Sequence, residues 1–270
     1  MRIVLLAAVF SFVVAPATAQ TVETLQASVG WGRSINVYVY KPAGQGPFPL
    51  LVMSHGSPRQ PAARAKLGVN TLSAQARAYA AKGWVVAVPV RRGYGSSGGG
   101  WAEGYGSCQS PDYASGGLAT AQDIRAAVTA ASADAAVDKS RVVLMGVSAG
   151  GWGSVAAASQ GVPGLKAVVN FAGGRGSMGP NTVCGEDNLV SASARLASSG
   201  VPQLWIYAQN DLFFGPELSR KMHAAFTGAG GRAEYVAAPA YGADGHGYFG
   251  AVGSWQGRVD AFLRQTGAKR

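Results

Sequence analysis

Arg141-Val-Val-Leu-Met145 runs directly into Gly146-Val147-Ser148-Ala149-Gly150, and an alanine-rich stretch follows. A β-type run, a sharp turn of small residues carrying a serine, and then a helix is the setting in which a serine hydroxyl is lifted into reach of a substrate. The glycines have a steric reason, because a Cβ at 146 or 150 would crowd the neighbouring strand and helix. The helix N-terminus beneath Ser148 favours negative charge developing beside it. The chemistry such a serine would do is acyl transfer, and for that it needs a base.

Three histidines are available. His223 falls in the middle of a helical stretch and reads as a helix-surface residue. His55 closes a β-type run upstream, in Met53-Ser54-His55-Gly56-Ser57-Pro58, and reads as orienting its loop. His246 lies in the glycine-rich segment 241–249, between the last strand and the last helix. In a parallel sheet that loop opens at the carboxyl edge, as the Ser148 turn does, so His246 is the expected base. The orienting acid should come between the two in the chain. Gln203-Leu-Trp-Ile-Tyr-Ala208 followed by Gln209-Asn210-Asp211 supplies it. Asp211 is therefore expected to hold the imidazole, with Asp187 and Asp244 as alternates; Asp244 stands too near in sequence to reach the far ring nitrogen easily. An oxyanion needs two N–H donors. One is the Ala149 amide, and the other comes from the loop after Leu50 to Ser54. Pro58 has no N–H, which leaves Ser57 or Gly56, with Ser57 preferred.

These residues need elements to carry them. β-type runs are predicted at 35–40, 50–54, 84–89, 141–145, 165–171, 203–208 and 233–238, and helices at 71–82, 113–132, 149–160, 189–199, 217–227 and 253–265. The strands are near-continuous apolar runs, as expected when helices cover both faces. Two early strands followed by a repeating β-α order imply an α/β fold, with a mostly parallel, doubly wound sheet and an antiparallel start. No repeat or linker divides residues 20–270, which read as one domain.

The Ser148 turn, the His55-Gly56 turn, Arg91-Arg92-Gly93-Tyr94-Gly95-Ser96-Ser97-Gly98, and the late Asp211 and His246 together resemble the α/β-hydrolase superfamily. Within it the chain is similar to dienelactone-hydrolase-like proteins and to the catalytic domains of prolyl-oligopeptidase-type and acyl-aminoacyl peptidases. It departs from true dienelactone hydrolases, which have Cys where this chain has Ser148, and from the oligopeptidases in lacking a propeller-sized N-terminal region. The resemblance implies a sheet of about eight strands and a serine hydrolase acting on carboxylic esters, with an exopeptidase or amidase, or a non-catalytic binding module, as the other readings. The short interval between the 165–171 and 203–208 strands leaves little room for a large cap. Arg92, Tyr94, Trp101, Phe213 and Tyr248 are the candidate substrate contacts, with Phe214 beside them, whereas Trp152 reads as core. Aromatic rings of this kind suit a carbohydrate or phenolic ester.

The 270-residue chain is 48% hydrophobic and 13% charged, with 23 Lys and Arg against 13 Asp and Glu. That balance excludes intrinsic disorder. The basic residues are scattered, so the net charge of +10 does not form a nucleic-acid arm. Residues 1–19 combine Arg2, an apolar run too short to span a bilayer and Ala17-Thr18-Ala19, which reads as a signal peptide cut before Gln20. Periplasmic or extracellular residence follows, without a membrane span. In such a compartment Cys108 and Cys184 are expected to form a disulfide. No metal-ligand spacing or dinucleotide loop is present, so no cofactor is expected.

Overall fold

The computed structural model describes residues 21–269; the signal peptide expected at 1–19 lies outside them. β1 (Thr21–Gly30) and β2 (Arg33–Lys41) form a hairpin, followed by β3 (Phe48–Ser54), α1 (Pro61–Arg64), α2 (Ser73–Ala80) and β4 (Val85–Pro89). Then come α3 (Tyr113–Ala131), β5 (Val137–Val147), α4 (Ala149–Ser159) and β6 (Leu165–Phe171). A small hairpin of β7 (Ser177–Gly179) and β8 (Thr182–Val183) precedes α5 (Glu186–Arg195) and β9 (Gln203–Ala208). The chain ends with α6 (Pro216–Gly228), β10 (Ala233–Ala238), a 3-10 turn at Gly245–Gly250 and α7 (Val252–Gln265).

Eight strands form one sheet in the order β1-β2-β4-β3-β5-β6-β9-β10. β2 alone runs against the other seven, being antiparallel to both β1 and β4. The remaining pairs are parallel. Side chains alternate across a strand, and each apolar run therefore feeds two cores. Leu50, Val52, Val142 and Leu144 pack with α3, α4, α5 and α6 on one face. Leu51, Met53, Val143 and Met145 pack with α2 and α7 on the other. This is why the strands read as unbroken apolar stretches.

The seven predicted strands are all present, with ends shifted by a few residues. β1 was not predicted. It is an edge strand in which buried Ala27 and Val29 alternate with exposed polar residues, so its apolar content is half that of a central strand. α5 begins three residues earlier than expected, where Glu186 and Asp187 occupy the first turn and complement the helix dipole. Between β6 and β9 lie only α5 and the small hairpin, so no large cap covers the sheet.

Cys108 and Cys184 are joined by a disulfide with Cα atoms 5.1 Å apart, across a separation of 76 residues. It ties the loop before α3 to the segment after β8. Cys184 is buried, and its backbone N–H donates to Gly176 at 2.9 Å while its carbonyl accepts from the Tyr113 hydroxyl. Closing a loop of this size in the unfolded chain is worth at most about 4–5 kcal/mol in the chain-entropy picture. Reduction, or Cys108→Ser with Cys184→Ser, is therefore expected to lower the urea midpoint by a loss of that order or less. A midpoint that stays put would show that the link contributes nothing to stability.

Candidate active site

The chain moves outward in opposite directions from β3 and β5, so the crevice between their carboxyl ends is the topological switch point where ligands bind in such sheets. The loop after β3 and the turn after β5 meet there. Ser148 has φ +56° and ψ −124°, backbone that an L-residue holds only when its surroundings impose it. Those surroundings are close. A Cβ on Gly146 would stand 2.4 Å from the Gly150 carbonyl oxygen, and one on Gly150 would stand 2.2 Å from the Ser54 carbonyl oxygen. The Ser148 amide donates to Phe171 at 2.9 Å, which anchors the turn on β6. Ala149 opens α4, so its N–H has no acceptor within the helix.

Asp211 and His246 come together after β9 and β10. His246 Nδ1 lies 3.2 Å from both carboxylate oxygens of Asp211, which is buried. With Nδ1 facing an acceptor, the neutral ring carries its proton there and leaves Nε2 with a free lone pair. Asp211 Oδ1 also accepts from the amides of Phe213 at 2.7 Å and Phe214 at 3.0 Å. The same carboxylate thus shapes the turn that brings Phe213 flat against the imidazole, with ring centroids 3.8 Å apart and planes 7° from parallel. Asp244 makes no hydrogen bond to the ring among the described residues. Its Oδ1 accepts from the backbone of His246 at 2.9 Å and of Leu212 at 3.0 Å, which pins the histidine loop to the aspartate loop. Phe213, Phe214 and Ser148 line one cleft, and the imidazole stands behind its aromatic wall. No hydrogen bond joins Ser148 Oγ to His246 among the described residues; contacts of this kind commonly tighten only when substrate is bound.

The loop after β3 passes close to the Ser148 turn: a Cβ on Gly56 would stand 3.2 Å from Ser148 Cβ. His55 orients this loop, as its position suggested. Its Nε2 accepts from the Arg91 amide at 3.3 Å, so Nδ1 holds the proton and donates to the Gly56 carbonyl at 2.7 Å. Ser57 is anchored through its hydroxyl, 2.7 Å from the Tyr94 hydroxyl. Tyr94 in turn lies 2.8 Å from Glu103 Oε2 and accepts from Trp101 Nε1 at 3.0 Å.

Glu103 is the centre of this wall, and nothing in its local sequence announces it. It is buried and pairs with Arg91 and with Arg175, the latter at 2.7 Å. Burial pushes the Glu103 carboxyl up, but the two guanidinium groups outweigh that and hold it well below the usual carboxylate range. Arg91 Nη1 also donates to Ser54 Oγ at 2.9 Å and to the His55 carbonyl at 2.7 Å. One buried arginine therefore fixes the end of β3 on which the Ser148 turn rests. The one available sequence signal was a charged pair, Arg91-Arg92, directly after a core strand.

The cleft has a volume of about 430 Å³. Trp101 and Phe213 line it, together with Phe214, Ser57 and Ala149. Three expected contacts do not. Arg92 turns away to Asp123, with Nε 2.7 Å from Oδ1. Tyr94 is buried behind Ser57. Tyr248 packs into the α2–α7 core and donates to the Ser254 carbonyl. Trp152 is core, its Nε1 bonded to the Tyr113 carbonyl at 2.8 Å. His223 bonds the Ala233 carbonyl at 2.9 Å and takes no part in the site. Arg59, Arg64 and Arg175, which line the cleft, were not singled out from sequence, since isolated arginines carry no pattern.

The X-Pro dipeptidyl-peptidase (S15) family matches residues 32–211. No curated protein matches the chain in sequence. Among solved structures, an acylaminoacyl peptidase from Pyrococcus horikoshii superposes with a TM-score of 0.64 at 18% identity over 92% of this chain. The chain spans only 41% of that protein's length. A putative dienelactone hydrolase from Klebsiella pneumoniae gives 0.59 at 17% identity, covering 91% of this chain and 97% of the other. A thermophilic esterase from Thermogutta terrifontis gives 0.59 at 21%, covering 94% and 96%. At these identities the structures share the fold, that of the α/β-hydrolases.

Burial, reinforced by the Arg91 charge, lowers the His55 pKa from 6.5 to about 3. The unfolded chain takes up this proton below about pH 6.5, and the folded chain does not until far lower. The stability tied to neutral His55 is therefore complete above that pH and drains away as pH falls through the window, by at most about 1.4 kcal/mol per pH unit. Urea midpoints compared between about pH 5 and about pH 7 should show this slope, and His55→Gln should flatten it.

Proposed function

This chain belongs to the X-Pro dipeptidyl-peptidase (S15) family of α/β-hydrolases, and from that premise we propose a serine hydrolase that cleaves carboxylic esters through an acyl-enzyme. Ser148 Oγ attacks the ester carbonyl carbon as His246 Nε2 takes its proton. Asp211 keeps the proton on Nδ1 and stabilises the imidazolium. The amides of Ala149 and Ser57 receive the oxyanion. Collapse of the tetrahedral adduct expels the alcohol, which leaves with the proton from His246. Water then repeats the sequence on the acyl-enzyme and releases the acid. The observation that supports this reading is that a positive-φ serine beside an unpaired helix-start amide, and a histidine bonded to a buried aspartate, lie on loops at the carboxyl edge of one sheet.

The family's description favours a second reading, a peptidase using the same groups. A dipeptidyl-peptidase must hold a peptide's free α-ammonium, which calls for a carboxylate in the cleft. The residues lining it include no Asp or Glu, and this supports the ester over the peptide. The aromatic lining suits a phenolic or sugar ester less fully than the residue types suggested. Phe213 carries Arg59 and His246 on its faces, and Arg64 covers one face of Trp101.

The working form is residues 20–270 as a single catalytic domain, exported after loss of the leader, in the periplasm or outside the cell. The disulfide supports that compartment, and no described helix is long and apolar enough to cross a membrane. N-terminal sequencing of the mature protein at a residue other than Gln20 would move the cleavage site.

Ser148→Ala should lower turnover of short p-nitrophenyl esters roughly ten-thousand-fold or more, and Asp211→Asn by a similar order. Undiminished hydrolysis by the Ser148 variant would overturn the assignment. Activity on aminoacyl anilides with none on esters would favour the peptidase.

A further inference from the structure

The cleft beside Ser148 is lined by three guanidinium groups, Arg59, Arg64 and Arg175, and by no carboxylate. Arg175 shares the single carboxylate of Glu103 with Arg91, so the trio keeps one net positive charge. The other two are held differently. Arg59 donates to the Ser177 hydroxyl at 2.6 Å and lies over Phe213, 3.7 Å from the ring centroid. Arg64 lies over Trp101 at 3.8 Å, and its Nε is buried without a hydrogen-bond partner. Among the described residues neither has an acidic partner within ion-pairing distance, whereas Arg91, Arg92, Arg141, Arg175, Arg195 and Arg258 each do.

Stacking on an aromatic face keeps a guanidinium flat and partly dry while leaving its N–H edge free for a planar anion. Two such groups facing one cleft, with the third arginine adding positive potential, form a receptor for an oxyacid. We propose that the substrate is an ester that also carries a carboxylate, paired by Arg59 and Arg64. The proposal rests on the ester-hydrolase reading and names a substrate class for it. The carboxylate can belong to the acyl part, as in a dicarboxylic monoester, or to the alcohol part, as in an acylated hydroxybenzoate.

Both sources are tested by comparing each acid with its methyl-capped form. The acyl pair is mono-p-nitrophenyl adipate against its methyl diester; the alcohol pair is 4-acetoxybenzoate against its methyl ester. In at least one pair kcat/KM should favour the acid roughly ten- to a hundred-fold at low salt. The preference should shrink as salt rises, and should collapse toward unity in R59Q/R64Q, mainly through KM. The ratio of two esters in one protein sample is independent of how much of it is folded. Equal rates for acid and capped ester in both pairs, or a preference that survives in the double variant, overturns the proposal. Calorimetric titration of Ser148→Ala with adipate and with neutral adipamide reads the anion site without turnover. Adipate binding that is lost on adding R59Q/R64Q supports the receptor even where no ester is cleaved, and in that event only the ester reading fails. Absence of adipate binding, or adipamide binding equally well, overturns the receptor.

Discussion

The arrangement depends on a close contact between backbones. The Ser148 turn holds a positive φ because α4 starts almost on top of the end of β3, with room for no side-chain carbon at Gly150. α4 accepts a cost for this. It places glycine at 150, 151 and 153, each worth about 1 kcal/mol less than alanine in a helix interior. The helix survives because almost all of it is buried between the sheet and α3, with Trp152 bonded to the first residue of α3. Packing supplies what intrinsic propensity withholds. The geometry of Ser148 is then a property of the sheet's interior rather than of a surface loop.

A turn pressed against the end of β3 is only as well placed as that strand end, and the strand end is held by charge. Arg91 reaches Ser54, the His55 carbonyl and Glu103 at once, and Glu103 reaches on to Arg175 and Tyr94. A buried ion network of this kind adds little net stability, but removing one member strands a charge at a cost of about 3–5 kcal/mol. Its value here is positional. The network couples the Ser57 loop on one side of the cleft to the Gly174–Met178 wall on the other, and the disulfide holds that wall through the contact of Cys184 with Gly176. Neutral His55 belongs to the same device, since a protonated ring could not accept the Arg91 amide.

How much of this was legible follows from where the information sits. Central strands are apolar on both faces, so β3, β5, β6 and β9 stood out as runs, and chain order in a parallel sheet singled out the serine turn, the late aspartate and the late histidine as the residues to examine. The edge strand β1 did not stand out, because only every second residue is buried. The contact residues were read poorly for a related reason. Arg92, Tyr94 and Tyr248 are of types that bind ligands, but residue type says nothing of which way a side chain leaves its loop. Arg92 met Asp123 on α3 and Tyr94 met Glu103, both partners distant enough that no spacing rule joins them. Arg59 and Arg64 were passed over because their role lies in what they lack, an acidic neighbour, and an absence of that kind shows only in three dimensions.

The charge of the whole chain bears on the same cleft. A net charge of +10 spread over single residues forms no nucleic-acid stripe, and as a field it draws anions from a distance set by the Debye length, about 8 Å at physiological salt. At the cleft that general attraction becomes local. The interior network of Arg91, Glu103 and Arg175 carries one positive charge more than it cancels, and the two stacked arginines stand above it. An open cleft without a cap has few walls with which to select by shape. Electrostatic selection does not need walls, because a like charge placed against unpaired guanidinium groups is rejected as firmly as a carboxylate is held. Under the acid-ester proposal the same cations would oppose the free ammonium of a peptide substrate, so that affinity and exclusion would come from one set of side chains.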